Sequence, residues 1–188
     1  MSSAIKATSL IKLIFSLYLI INCTCTEVAT QVEQPATNLS SNFRVGTIKV
    51  TVDNVLERIT RNGQALNLSG AGVLNDFTKV KTVRTVLRSG DLIAITGSNT
   101  GVYSLTNPGA MIVTINYRDR FGNMRTVNTS NRWRCNFRTA RQLGANNNSN
   151  TIWFRVNNGP IVGINNNAQW IWSQNLAAPR VTCSIRLA

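Results

Sequence analysis

The chain has 188 residues and a mass of 20.7 kDa, room for one domain with a core of its own and too little for two ordinary ones. Only 14% of its residues are charged, yet 20 Lys and Arg face 7 Asp and Glu, for a formal charge of +13. It contains no histidine, which excludes Ser-His-Asp and Cys-His nucleophiles, histidine-ligated zinc and the commonest general base.

Residues 1–26 read as a secretory signal peptide. Lys6 and Lys12 precede an apolar run, Leu13 to Ile21, which meets small residues at Cys23-Thr-Cys-Thr26; positive, apolar and small, in that order, is the layout of an export signal. The alternative is a membrane anchor, but the run is about half of the ~20 residues a spanning helix needs. Cleavage is expected after Cys25 or Thr26. It leaves 18 basic residues against 7 acidic ones, fifteen of the basic ones arginine, with Cys135 and Cys183 as the remaining cysteines. Two cysteines in an exported chain most simply form one disulfide. Downstream of residue 26, four sequons fit export as well, at Asn38, Asn67, Asn128 and Asn147, each a glycan acceptor only if it is exposed and the cell is eukaryotic.

Residues 27–43 are polar and read as a flexible leader; the ordered domain is expected over 44–188. Val45–Asp53 alternates apolar and polar positions, the period of a half-buried strand. Val55–Arg61 runs into Asn62-Gly63, a two-residue hairpin signal because both central positions favour φ > 0, with Gln64–Leu68 returning. Val80–Leu87 and Asp91–Thr96 read as strands joined at Ser89-Gly90. Ala110–Tyr117 is the clearest strand and turns at Phe121-Gly122-Asn123 into Met124–Asn128. Arg132–Cys135, Thr151–Val156, Ala168–Trp172 and Arg180–Leu187 complete the set, with Asn146–Asn150 as a polar loop. Many short strands between turn signals, with no sustained helical period, predict an all-β sandwich or barrel.

The order Val52-Asp53-Asn54, Arg61-Asn62-Gly63, Leu87-Arg-Ser-Gly-Asp-Leu-Ile-Ala-Ile95, Pro108-Gly-Ala-Met-Ile-Val113, Trp133 two residues before Cys135, Ala168-Gln-Trp-Ile-Trp172 and Val181-Thr-Cys183 resembles the galactose-binding-domain-like jelly rolls over roughly residues 45–187. The resemblance implies a jelly-roll β-sandwich of the kind found as accessory modules in extracellular proteins and glycosidases. It also implies a module that binds glycans or tethers a protein to a surface, in some members with a structural calcium ion.

The sequence offers four kinds of candidate chemistry. Ten arginines lie between Arg118 and Ala188, with Asp119 the only acid among them. Guanidinium forks match sulfate, phosphate and carboxylate bidentately, so a secreted surface of this kind suits an extracellular glycan or other polyanion; the alternative is a solvated face that serves solubility. Arg132, Arg134, Arg138 and Arg141 crowd around Trp133 and are the expected ligand-binding set. If that span is a strand, Arg132 and Arg134 share one face while Trp133 points inward. Trp133, Trp170 and Trp172 are expected in the core. Trp153, beside Phe154, is the expected exposed aromatic, since neighbours on a strand face opposite ways. Asp53, Asp76 and Asp91 suit turn capping better than calcium binding, because three scattered acids make no loop motif. The asparagine clusters read as loops, with sugar hydroxyls as their alternative partners. No cofactor is called for and no enzyme is expected. Two functions remain: a secreted, non-catalytic binding module for extracellular glycans or other polyanions, and a structural coat or matrix protein that self-associates.

Overall fold

The computed structural model describes residues 45–104 and 106–188. The expected signal peptide and leader, and the Asn38 sequon, fall outside the described residues. Among the described residues, twelve strands and one short helix follow in chain order: β1 (Val45–Asp53), β2 (Val55–Arg61), β3 (Gln64–Ala65), β4 (Lys81–Val86), β5 (Leu92–Ser98), β6 (Ala110–Arg118), β7 (Met124–Asn128), β8 (Arg134–Cys135), β9 (Arg138–Thr139), β10 (Arg141–Ala145), α1 (Ile152–Val156), β11 (Gln169–Trp172) and β12 (Arg180–Arg186).

They form two antiparallel sheets packed as a sandwich. The first has the order β10-β11-β6-β1-β4, with β7 also paired to β6; the second runs β3-β2-β5-β12-β8-β9. The alternation in β1 sends Ile48, Val50 and Val52 inward, where they meet Ile93 and Ile95 of β5 and Met111, Val113 and Ile115 of β6 in one buried cluster. β6 is apolar on both faces over its first half, Ala110–Val113, because both are covered there. Its odd-numbered residues face the second sheet, while Ala110 and Ile112 lie in a smaller cluster with Trp153, Ile161, Ile164 and Trp170, outside the first sheet. That cover explains why Ala110–Tyr117 reads as an almost unbroken apolar run.

The asparagine loop organises this cover. The Asn146 carboxamide is buried, donating to the Ile161 and Ile164 carbonyls and accepting from the Ile161 N–H at 2.9 Å, so segment 146–164 is tied back on itself by one side chain. Three expectations change here. Thr151–Val156 is not a strand. Thr151 caps a single helical turn, its hydroxyl accepting from the Phe154 N–H, so the β-branched and aromatic character of Ile152-Trp153-Phe154 is overridden by the cap and by docking. The returning strand after Asn62-Gly63 ends at Ala65, and β8 begins at Arg134, leaving Arg132 and Trp133 in the preceding turn.

Cys135 and Cys183 are bonded, with Cα atoms 4.0 Å apart, and are directly opposed between β8 and β12. The bridge closes a sequence separation of 48, worth about 4 kcal/mol on the chain-entropy model.

Candidate functional site

The arginines around Trp133 are sorted by the fold into three places. Trp133 is fully buried and its indole N–H donates to the Asn128 carbonyl at 3.0 Å, which anchors the turn that feeds β8. From there β8 and β9 form a short ribbon at the edge of the second sheet. Arg134 is opposite Thr139 and Cys135 opposite Arg138, so alternation places Arg134 and Arg138 on opposite faces of the ribbon. Arg141 lies beyond it, in β10 of the other sheet, opposite Trp172. Arg132 precedes the ribbon and lines a cleft.

The ribbon turns through Asn136 and Phe137, both with positive φ, 48° and 67°, the pair of left-handed residues a tight two-residue hairpin requires. Asparagine tolerates this region; a bulky aromatic rarely enters it. Phe137 is also 95% exposed. The surrounding bonds hold the turn in place. Asn136 N–H donates to the Thr182 carbonyl at 2.9 Å, its Oδ1 accepts from Thr182 N–H at 3.0 Å, and Gln174 Nε2 donates to the Thr139 carbonyl at 2.8 Å. With the disulfide one residue before Asn136, the ribbon is fastened to β12 while its tip presents an aromatic ring to solvent between two arginines.

These arginines keep their charge available. The salt bridges among the described residues are Arg125–Asp119 at 2.9 Å and Arg180–Glu57 at 2.5 Å. Arg132, Arg138 and Arg141 have no ion pair or side-chain hydrogen bond among the described residues, and Arg134 reaches only the Phe137 carbonyl, at 3.5 Å.

Trp153, the expected exposed aromatic, is buried. It sits on α1, stacks on Trp170 with centroids 4.6 Å apart, and donates to Asp53. A helical turn, unlike a strand, does not send adjacent residues to opposite faces, and Trp153 is the residue of α1 that is buried. The exposed aromatic of the β8–β9 ribbon is instead Phe137; Phe121, with Arg120 over its ring at 4.7 Å, is exposed elsewhere in the basic stretch. The signal that would have found it is a turn-forming asparagine with only Asn136 and Phe137 between Cys135 and Arg138.

The acids are dispersed. Asp76 accepts from the N–H and hydroxyl of Thr78, and Asp91 accepts from Arg88 N–H and from Asn62 Nδ2, so both hold turns. Asp53 lies under α1. Burial raises its carboxyl above the ordinary range, offset in part by the Trp153 hydrogen bond. Among the described residues, no three acidic or thiol groups gather as metal ligands would. Lys81 is also buried. Its ammonium donates to the Asp76 carbonyl, to the Lys79 carbonyl at 2.9 Å and to the Thr51 hydroxyl at 3.4 Å, and desolvation lowers its pKa to about 8.

The remaining sequons differ in setting. Asn67 and Asn147 are exposed. Asn128 is half-buried in β7 and accepts from the Thr114 hydroxyl at 3.0 Å, beside the fully buried Thr129.

No helix among the described residues is long and apolar enough to cross a membrane. Comparison with protein-family models, with curated proteins and with solved structures finds no match.

Proposed function

We propose that the protein is a secreted, non-catalytic binding module for extracellular glycans or other polyanions, and that the β8–β9 ribbon is its contact surface. The observation that carries this reading is an exposed Phe137 flanked by Arg134 and Arg138, neither paired with an acid, on a ribbon clamped by the Cys135–Cys183 bond. Guanidinium forks take sulfate and carboxylate groups, and an aromatic face packs against the C–H face of a sugar ring. A backbone held in a disfavoured region at an exposed tip points to function, since strain of this kind persists where the surroundings over-determine it.

Retention on immobilised heparin tests the proposal. The wild-type protein is expected to elute as a monomer at moderate salt, because each neutralised anion releases counterions. Arg134→Gln with Arg138→Gln should elute much earlier. A large assembly indifferent to heparin would reject binding and favour the self-associating coat.

A further inference from the structure

A second basic feature lies apart from the ribbon. Between the edge of β7 and the end of β12 is a cavity of about 500 Å³, within the range of roughly 300–1,000 Å³ typical of small-ligand sites. Its apolar lining comes from Tyr117, Val127 and Ile185, and its charged lining from Arg125, Arg132 and Arg186. No Asp or Glu side chain lines it; the main-chain oxygen of Ala188, which also lines it, accepts from the Tyr117 hydroxyl. The three arginines reach it from separate segments of the chain: β7, the turn before Trp133, and β12.

The state of these groups defines what fits. Arg125 spends its Nε on Asp119 and Arg186 spends one Nη on the Gly90 carbonyl at 2.7 Å, so each guanidinium is braced and keeps further N–H donors. Arg132 has no side-chain partner among the described residues. The Asn128 carboxamide, its oxygen engaged by Thr114, has its NH₂ left over. The cavity therefore combines an apolar floor with a rim that mainly donates. A bare inorganic anion would leave the floor unused, and a neutral sugar would leave Arg132 and Arg186, neither of them in an ion pair among the described residues, without a counter-charge.

We propose that this cleft is a second binding site, for a single sugar ring bearing a carboxylate, with Arg132 and Arg186 holding the charge and Tyr117, Val127 and Ile185 facing the ring. It is independent of the ribbon: one site grips an extended polyanion at an edge, the other takes one acidic residue end-on.

Calorimetric titration of the purified protein with glucuronate, acetate and glucose tests it, with side-chain amide resonances of Asn128 and Asn167 followed in parallel. Saturable one-to-one binding of glucuronate is expected, at least tenfold tighter than acetate, with no binding of glucose and with both amide signals shifted. Arg132→Gln and Arg186→Gln should each weaken glucuronate at least tenfold. Arg134→Gln with Arg138→Gln should leave it unchanged while removing heparin retention. Equal affinity for acetate and glucuronate, non-saturable binding, unshifted amides, or equal loss in the ribbon variant would each overturn the cleft. Overturning it with heparin retention intact leaves the ribbon reading standing, and the converse result separates them the other way. The amide shifts need no variant, so misfolding of Arg186→Gln would not decide the matter.

Discussion

The Trp153 indole N–H donates to Asp53 Oδ2 at 2.9 Å across a separation of 100 residues, tying the helical turn α1 to the end of β1. Both groups are buried, and the same carboxylate accepts from Asn54 Nδ2 at 2.6 Å. The bond supplies part of the solvation that burial removes from Asp53, and it holds Trp153 against Trp170.

Asp53 should leave a mark on the pH dependence of stability. Burial raises its folded-state pKa above the ordinary 3.8, so in the window just above that value the folded chain holds the proton more tightly than the unfolded chain. Stability contributed by this group is therefore present in acid and is lost as pH rises through the folded pKa. Denaturation of wild type and Asp53→Asn between pH 3 and 7 isolates the effect. The wild type should lose ground relative to the variant as pH rises, and parallel profiles would refute it. Trp153→Phe should steepen the loss and cost about 1–3 kcal/mol at neutral pH, as expected when a buried acceptor loses its donor.

Lys81 acts in the opposite direction and at higher pH. Desolvation lowers its folded pKa to about 8 from 10.5, so between those values the unfolded chain binds more protons. Stability should rise with pH across that window, by ~3 kcal/mol at most. The difference between wild type and Lys81→Met, measured by chemical denaturation from pH 7 to 10.5, should show this rise in the wild type alone.

Glycan occupancy should follow the fold. Secreted from a eukaryotic host, the folded protein should carry glycans at Asn67 and Asn147, which are exposed. It should carry none at Asn128, whose carboxamide is bonded to Thr114 within the β6–β7 pairing. Peptide mapping before and after enzymatic deglycosylation reads this directly, and an occupied Asn128 in folded material would contradict the β7 placement.

Local pattern carried much of the architecture. The alternation of Val45–Asp53 and the β-branched run of Ala110–Tyr117 mark β1 and β6 at the centre of the first sheet, and the cysteine pair follows from an even cysteine count; Trp133 is buried as expected, but from the turn before β8 and not from a strand. Thr151–Val156 misleads for a physical reason. Six residues carry too little periodicity to separate a strand from one helical turn, and the deciding facts are the Thr151 cap and the docking of Trp153 on Trp170. The site was less legible still. Phe137 looks like any aromatic until the φ of +67° at a ribbon tip is known. The cleft needs Arg125, Arg132 and Arg186, which only the β6–β7 and β8–β12 pairings bring to one cavity.

The ribbon tip yields the sharpest test, because stability and binding should move in opposite directions there. A left-handed backbone costs an ordinary L-residue about 1–2 kcal/mol, and Phe137 gains nothing back from burial at 95% exposure. Asparagine enters this region more readily, so Phe137→Asn should raise stability by up to about 1 kcal/mol while weakening heparin retention. Arg134→Gln with Arg138→Gln should flatten the salt dependence of retention and leave stability within about 0.5 kcal/mol, as for surface changes elsewhere. Trp133→Ala, by contrast, should cost about 3–5 kcal/mol as a core truncation. If Phe137→Asn lowers stability, the ring is structural. If it raises stability and leaves binding untouched, the tip takes no part in recognition and the arginines act alone.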